Sequence, residues 1–365
     1  MTTGKQKTQV LIVVMHRCNR SPSQRFRYEQ YIPYLEEHGF EFTYSHLVNE
    51  QDDKYFYAKG FLLKKFLILI KSFILRAIDV VRASRYDIIF VQREAIMIGT
   101  SIFERLFSLS KAKLIYDFDD ALWTLDTSSA NKALEWLKNP YKIKRIMAAA
   151  DLIIAGNEYL HQNAKKYNVN VIIIPTTINT AYHNKLQKPE SKEKVCIGWT
   201  GSETTIKHFE LAIPWLKKIK EKFGEKVYFK LIGDENYFCK ELNLKGIAWS
   251  LESELSDLCE IDIGIMPLPS DEWANGKCGF KGLQYMAMKI PTVMSPVGVN
   301  KEIIQHGHNG FLADTEEEWI EITSRLINAK ELRKSIGNEA REAVISRYSV
   351  EANQSKYLNA FSKLN

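Results

Sequence analysis

The stretch Asp262–Asp314 constrains the fold most, because two apolar runs in it flank a loop and a helical pattern. The first run, Ile261–Leu268, is bounded by acidic residues and by prolines, which is typical of a buried strand. The second run, Ile290–Ser295, has the same character. Between them, apolar residues recur at helical spacing from Phe280 onward. This order of strand, loop, helix and strand predicts an α/β fold.

The loop before this helix is a candidate anion site. It contains Gly276, Lys277, Gly279 and Lys281, and a helix N-terminus adds unpaired backbone N–H groups and a favourable dipole. A glycine-containing loop between a strand and a helix is a weak signal by itself. The lysines could equally form a solvated surface.

Similar apolar runs recur along the chain and predict further buried strands. They are Gln9–Met15, Phe40–His46, Tyr86–Gln92, Lys113–Tyr116, Leu152–Ala155, Val171–Ile174, Val195–Trp199, Val227–Gly233 and a short Ile247–Trp249. A polar, lysine-rich segment, Thr180–Lys194, separates the first six from the rest. With 365 residues the chain is long enough for two cores of ordinary size. Two domains are therefore predicted.

The motifs GKCGFK, QYMA, IPTV and SPVGVN, in this order, resemble the donor-nucleotide half of the family-4 (group 1) retaining glycosyltransferases of the GT-B fold. They are most similar to one bacterial subgroup. The resemblance implies two Rossmann-like domains with parallel sheets that face each other across a cleft. Residues 1–178 would form the acceptor-side domain, residues 179–347 the nucleotide-sugar-binding domain, and residues 348–365 a helix that returns to the first domain. Tyr357 and Phe361 would pack there.

The chain departs from the family pattern in the lysine-containing loop. The family has two glutamates eight positions apart, where this sequence has Gly276 and Gln284. The resemblance implies that Gln284 hydrogen-bonds ribose hydroxyls and that Lys277 or Lys281 replaces the first glutamate. Gly279 and Phe280 are predicted to belong to the same donor site.

A second candidate phosphate site follows the strand Val195–Trp199. Small residues precede a predicted helix there, so backbone N–H groups and hydroxyls could hold phosphate. The predicted donor-binding residues of this region are Gly201, Ser202, Thr204, Thr205, Lys207 and, at the end of the next strand, Gly233. The family clamps the diphosphate here with an arginine and a lysine. Lys207 matches the lysine approximately, whereas Ser202 stands in place of the arginine.

Arg25 and Arg27 lie in the first turn of a predicted helix that ends at Gly39. The helix dipole disfavours cations at that end, so an anion should compensate them. The residues alone allow either a neighbouring acid or a ligand. The resemblance implies a Ser-x-Arg-x-Arg turn close to the donor diphosphate or the acceptor.

An acidic cluster, Asp117 to Asp120, follows the strand Lys113–Tyr116. Clustered carboxylates can bind a divalent cation, and Asp119 and Asp120 also suit an N-cap for a helix near Ala121. The resemblance implies instead that Asp119 or Asp120 hydrogen-bonds sugar hydroxyls. No metal is expected.

The segment Phe61–Val81 is as long as a membrane span, but it contains four cations and one acid. Charges at the centre of a span are costly in hydrocarbon, so it should not cross a bilayer. Two interpretations remain: an amphipathic helix packed on the N-terminal sheet, or a basic interfacial helix that touches anionic lipid.

Composition excludes several classes of protein. The net charge of +6 comes from scattered basic residues, so nucleic acid is not an expected partner. Five cysteines show no zinc spacing. Reduced cysteines and an N-terminus without signal-peptide character indicate a cytoplasmic protein, with peripheral contact at the inner membrane face as the alternative.

The resemblance, with which these features agree, implies a retaining hexosyltransferase. It would move a sugar from a nucleotide diphosphate sugar to an acceptor hydroxyl of a glycan or glycolipid in cell-surface polysaccharide synthesis. UDP-sugars are the commonest donors in the family, and no further cofactor is expected. The predicted catalytic residues are Lys281, Lys277, Asp119 and Asp120. Two alternatives stay open, a sugar-nucleotide epimerase of the same fold and a non-catalytic nucleotide-sugar-binding scaffold.

Overall fold

The structure, a computed structural model, describes residues 7–124, 139–184 and 194–364. It divides into two compact units, of which the first is Met1–Thr176 with Asn353–Asn365 and the second is Thr177–Ala352. Where a helix was predicted near Ala121, residues 122–124 form a turn, and residues 125–138 lie outside the described part. Most of the connection predicted at Thr180–Lys194 also lies outside it, at residues 185–193.

The first unit contains a six-stranded parallel sheet with the order β2-β1-β3-β4-β5-β6. Its strands are β1 Thr8–His16, β2 Phe40–Val48, β3 Ile88–Gln92, β4 Lys113–Phe118, β5 Leu152–Ala155 and β6 Val171–Ile173. Strands β1, β3 and β4 are buried almost throughout and are rich in Val, Ile and Leu, as expected for a parallel sheet covered on both faces. The predicted strands of this half are present, with ends shifted by two residues or fewer.

The helices of the first unit cover this sheet. They are α1 Pro22–Arg25, α2 Ile32–Glu37, α3 Glu50–Phe56, α4 Leu62–Arg82, α5 Ile102–Ser108, α6 Lys142–Ala149 and α7 Glu158–Ala164. The single helix predicted from residue 25 to Gly39 is wrong, because α1 ends at Arg25 and a short 3-10 turn, Glu29–Tyr31, precedes α2. Arg25 therefore lies in the last turn of a helix, where the dipole favours a cation.

The second unit contains a five-stranded parallel sheet with the order β13-β12-β11-β7-β8. Its strands are β7 Val195–Thr200, β8 Val227–Ile232, β11 Ile263–Met266, β12 Thr292–Met294 and β13 Phe311–Leu312, and β9 Phe238–Cys239 pairs with β10 Leu244–Lys245 separately. The expected strand Ile247–Trp249 is not formed; Ile247 makes only an isolated bridge to Ile232.

Helices of the second unit follow the strands in sequence. They are α8 Ile206–Glu210, α9 Ile213–Phe223, α10 Glu254–Cys259, α11 Glu272–Asn275, α12 Phe280–Ala287, α13 Asn300–Ile303, α14 Glu316–Asn328 and α15 Lys330–Arg347. Thr315 and Glu318 form a capping box that fixes the start of α14. On one face of the sheet, Trp215 stacks on Trp319 with ring centroids 4.9 Å apart, which joins α9 to α14 in the core.

The last helix, α16 Val350–Ser362, carries aromatic residues into the core of the first unit. Tyr357 stacks on Tyr31 with ring centroids 4.2 Å apart, and Phe361 packs edge-on against Phe40 and flat against Phe90. Both aromatic residues pack as the sequence led us to expect.

Arg27 belongs to the core of the first unit, which corrects its predicted contact with the donor or acceptor. Its guanidinium is fully buried and forms two hydrogen bonds with Asp117, at 3.2 and 2.5 Å. It also donates to the Ile174 carbonyl. Of the two alternatives, the neighbouring acid is the one found. Burial raises the pKa of Asp117, and the charge of Arg27 opposes this rise.

Removing one partner of this pair should be costly. We expect Arg27→Leu to lower the free energy of unfolding by about 3–5 kcal/mol, because it leaves the Asp117 carboxylate buried without its cation. Urea unfolding of the single variant and of Arg27→Leu/Asp117→Leu measures this. The double variant should recover part of the loss. A single variant as stable as the parent would contradict the pairing.

Candidate functional site

Two glycine turns meet where β7 and β8 end in the second unit. The Gly201 N–H donates to the Ile232 carbonyl at 2.9 Å. Gly233 has a φ of 137°, and a Cβ there would lie 1.9 Å from the Gly201 oxygen. A side chain on Gly201 would also collide with Trp199. Glycine is therefore required at both positions for the strand ends to approach this closely. The donor-binding role expected for Gly201 and Gly233 stays a prediction.

The turn after Gly201 is more closed than expected for a phosphate cradle. Ser202 and Thr205 form a capping box, in which the Ser202 N–H donates to Thr205 Oγ1 at 3.0 Å. The Ser202 and Thr204 hydroxyls lie 3.0 Å apart. These groups satisfy one another, so a phosphate bound to them would have to replace internal hydrogen bonds. Their role in donor binding stays a prediction.

The lysine-containing loop leads into α12 through Gly279, whose φ is 69°. A Cβ on Gly279 would lie 2.2 Å from Ile303 Cδ1, so the loop packs tightly on α13. Lys277 Nζ lies 4.3 Å from the centre of the Trp273 ring, and Lys281 Nζ lies 5.4 Å from that of Trp199. Aromatic faces attract ammonium groups and so hold both lysines near the ends of the strands.

His208 on α8 connects the two predicted phosphate sites. Its side chain is buried, and within the described ranges its Nδ1 atom has no hydrogen-bond partner. Burial, followed by the charges of Lys281, Lys277 and Lys207, lowers the pKa of His208 to about 4, while Asp271 opposes the shift. The charges of the three lysines that the sequence singled out therefore all act on one neutral imidazole. Such a concentration of positive charge is suited to an anion.

Gln284 lies in a different cluster from these lysines. It is only 3% exposed, and its amide nitrogen is 3.4 Å from both Glu254 Oε1 and His183 Nε2. Trp249 Nε1 donates to the same Glu254 oxygen at 3.2 Å. The predicted contact of Gln284 with ribose would require its amide to leave Glu254 and His183.

The ends of three strands meet in the first unit around Asp119. Ser23 Oγ donates to Asp119 Oδ2 at 2.6 Å and accepts from Gln92 Nε2 at 2.7 Å. Arg93 lies 3.1 Å from Asp120 Oδ2 and 3.8 Å from Asp119 Oδ1. Burial and the neighbouring Asp120 raise the pKa of Asp119, while Arg93 and Ser23 oppose the rise.

Arg93 holds an unusual backbone conformation at this point. Its φ is 66°, and left-handed backbone at a non-glycine residue costs energy and is concentrated at functional sites. Burial disfavours its charge, yet the carboxylates of Asp120 and Asp119 raise the pKa of Arg93 above its ordinary range. Arg25 is buried in the same unit, and its expected contact with donor or acceptor stays a prediction. Among the described residues, no group of three or more His, Cys, Asp or Glu is placed to hold a metal ion.

Residues 178–343 match the protein family described as glycosyl transferases group 1. The matched segment is a little under half of the chain, and it includes Lys207, His208, Lys277 and Lys281. A curated relative, glycosyltransferase 1 domain-containing protein 1 of Xenopus tropicalis, is 26% identical over 169 residues, which are 41% of this chain. The match covers 49% of that relative, so the chain spans about half of its length.

Solved structures resemble nearly the whole chain. A glycosyltransferase from Rickettsia africae matches with a TM-score of 0.68 at 16% identity, over 98% of both chains. Anabaena HepE in complex with UDP and glucose matches with a TM-score of 0.67 at 15% identity, over 98% of this chain and 100% of that chain. The two parallel sheets therefore match the GT-B fold. The family domain and these structures support a glycosyltransferase.

The sequence did not reveal several residues of these sites. His208, Glu254 and His183 have no motif of their own, and their partners come from distant parts of the chain. Tyr285 was visible only as part of QYMA, although its hydroxyl accepts from the Thr200 N–H at 2.8 Å and ties α12 to the end of β7.

Diphosphate binding beside His208 should take up protons. A bound anion raises the pKa of His208 from about 4 toward or above the ordinary value of about 6.5. Below about pH 6.5 the complex therefore binds more protons than the free protein, and the affinity for UDP rises as the pH falls. Calorimetry of UDP binding in buffers of different ionisation enthalpy measures the uptake.

The matched variants are His208→Gln and His46→Gln. The pKa of His46 is also lowered by burial, but this residue lies on β2 in the first unit. UDP itself titrates in this range, so the informative quantity is the difference from the parent protein. We expect a difference for His208→Gln and none for His46→Gln. Equal proton uptake by all three proteins would contradict the assignment.

Proposed function

We propose that this protein is a retaining glycosyltransferase that transfers a sugar from a UDP-sugar to an acceptor hydroxyl of a glycan or glycolipid. We place it in the bacterial subgroup with the GKCGFK and QYMA motifs, in cell-surface polysaccharide synthesis at the cytoplasmic side of the membrane. No cofactor beyond the donor substrate enters the proposal.

One observation carries the proposal: the charges of Lys281, Lys277 and Lys207 all act on the buried His208, within the segment that matches the glycosyltransferase family. The leaving group in this reaction is a nucleoside diphosphate, whose negative charge grows as the bond to the sugar breaks. Preorganised positive charge lowers the energy of that transition state. The HepE structure with UDP and glucose supports a uridine donor for a chain of this fold.

In the proposed mechanism the acceptor hydroxyl attacks the anomeric carbon on the face from which the diphosphate leaves. The bond between the anomeric carbon and the phosphate oxygen breaks, the new glycosidic bond forms, and a diphosphate oxygen takes the acceptor proton. Configuration is therefore retained. Lys281 and Lys277 stabilise the departing charge, and Lys207 holds the diphosphate. No protein nucleophile is needed.

Asp119 and Asp120 are proposed to accept hydrogen bonds from sugar hydroxyls. Ser23 and Arg93 hold the two carboxylates in place through the contacts at the strand ends. Carboxylates fixed in this way can orient a hydroxyl without themselves changing bonds.

Lys281→Ala should reduce kcat by roughly 10²-fold or more, because it removes a cation that acts on the leaving diphosphate. UDP release in the presence of donor and acceptor measures this. Lys334→Ala is the matched control, since Lys334 is exposed on α15. A near-normal rate for Lys281→Ala with unchanged donor affinity would refute its role.

The alternatives give different results with the same protein. A thermal-shift screen against nucleotide sugars first identifies the donor, because a ligand that binds the folded state raises the midpoint temperature of unfolding. Tight nucleotide binding without sugar release under any acceptor would favour a scaffold. Consumption or isomerisation of the donor without an acceptor would favour an epimerase.

Asp120→Asn should lower turnover without weakening the binding of UDP. The change removes the charge that faces Arg93 but leaves the lysines of the second unit unaltered. We expect kcat to fall by about 10-fold or more, with the affinity for UDP within about twofold of the parent. Steady-state kinetics and UDP titration measure the two quantities. An equal loss of UDP affinity would mean that Asp120 serves the nucleotide instead.

A further inference from the structure

Helix α4 has its polarity inverted relative to an ordinary surface helix. The side turned toward the protein includes the buried polar residues Lys65, Ser72, Arg76 and Asp79. The side turned to solvent carries most of its large apolar side chains, whereas Ile68 is buried. These exposed residues, with Phe61 just before the helix, are Phe61, Leu62, Leu63, Phe66, Leu67, Ile70, Phe73, Ile74, Ile78 and Val81. The helix does pack on the sheet, but with its polar side.

Arg76 fixes this orientation. Its guanidinium is fully buried and donates to Asp79 Oδ2 at 2.8 Å, to Ser45 Oγ at 2.8 Å and to the carbonyls of Val14 and Ala95 at 2.7 Å each. Rotating the helix to bury its apolar side would break these contacts and leave buried carbonyls unsatisfied. The outward apolar side is therefore a stable property of the fold.

The exposed apolar surface continues onto α5. Phe73 of α4 contacts Phe103 of α5 with ring centroids 5.5 Å apart. Ile102 and Leu106 on α5, and Leu109 directly after it, are also exposed. We call the exposed apolar residues of α4 and α5, with Phe61 and Leu109, the apolar face. Leu63 and Val81 on it are 72% and 83% exposed. An apolar surface of this extent on a water-soluble unit marks an interaction site.

Charge around the apolar face indicates which partner covers it. Residues 54–86 contain eight lysines and arginines and a single acid, Asp79, which is buried. At about 100° per residue, Lys64, Lys71 and Arg82 fall along one border of the apolar side. A second copy of the chain would bring like charges together, which is unfavourable. An anionic surface complements them.

A cavity of about 340 Å³ adjoins this border. Its lining includes Ile78 from the apolar face together with Lys71, Arg82, His46 and Asp79. Lys71 pairs with Asp52 and Arg82 pairs with Asp79, so a lipid phosphate here would share these cations with the two carboxylates.

We propose that the apolar face docks on a bilayer that contains anionic phospholipid. Helix α4 lies in the plane of the interface, its apolar side chains enter the boundary between head groups and acyl chains, and the lysines at its border contact lipid phosphates. The helix does not cross the bilayer, because its other side is held on the sheet. Among the described residues, no helix is long and apolar enough to do so. The inference deepens the proposed function by naming the surface at which a lipid-linked acceptor is met.

The test is binding of the full-length protein to vesicles, without donor or acceptor. The parent protein should co-sediment with phosphatidylcholine vesicles that contain phosphatidylglycerol. Much less of the protein should co-sediment with vesicles of phosphatidylcholine alone. Leu63→Ser/Ile70→Ser/Ile74→Ser should weaken binding by about 10-fold or more. Val169→Ser and Phe238→Ser are matched controls, because these apolar residues are 81% and 63% exposed away from the apolar face.

The border charge is tested separately. Lys64→Glu should weaken binding to anionic vesicles by roughly fivefold or more and should leave binding to phosphatidylcholine vesicles unchanged. Lys334→Glu, an exposed lysine of the second unit, should bind as the parent does. Added salt should reduce the difference between the two variants.

Three results would overturn the proposal. The first is that the parent does not bind vesicles. The second is that the Val169→Ser and Phe238→Ser controls lose as much vesicle binding as the triple serine variant. The third is that the parent is a dimer in solution, that the triple serine variant is not, and that neither of these two proteins binds vesicles. UDP titration of the same proteins keeps the two proposals distinct. Vesicle binding without UDP binding would refute the transferase, and UDP binding without vesicle binding would refute the membrane surface.

Discussion

Parallel strand pairing is the constraint on which the proposed donor site depends. Strand β7 lies between β8 and β11, and all three run in the same direction, so the loops that follow them meet at one edge of the sheet. Tyr285 secures that edge by accepting a hydrogen bond from the Thr200 N–H. Its ring has room because residue 264 on β11 is glycine; a Cβ there would lie 2.4 Å from the ring. One buried tyrosine thus links the helix that follows the lysine-containing loop to the end of β7.

Apolar runs and small-residue turns predicted most of the sheet architecture, because buried parallel strands leave a continuous signal in the chain. The ends of the strands were predicted less well, because they depend on pairing with neighbouring strands and not on the local sequence. Strand β11, for example, is four residues shorter than its apolar run. The broken helix between Pro22 and Glu37 was missed for a related reason. Its apolar spacing is helical, whereas Tyr28 and Tyr31 are placed by the aromatic core.

The site was less predictable than the fold. Motifs singled out Lys277, Lys281 and Lys207, whose charges do act on one side chain, but nothing in the sequence indicated that this side chain is His208. For Arg27, local reasoning allowed a ligand or an acid. The pairing of β3 with β4 places Asp117 in the interior, where it forms the ion pair with Arg27. The local sequence does not show this pairing. Gln284 shows the same limit, because Glu254 and His183 are 30 and 101 residues away.

The aromatic contacts of α16 bear on the order in which the chain acquires its structure. Tyr31, Phe40 and Phe90 are synthesised early, yet their partners Tyr357 and Phe361 follow the entire second unit in sequence. While the ribosome is still making residues 177–352, the first unit therefore has an open aromatic cleft in its core. Exposed surface of this kind attracts chaperones and promotes aggregation. Rapid completion of the second unit would thus protect the first, and the two units would mature together although each has its own sheet.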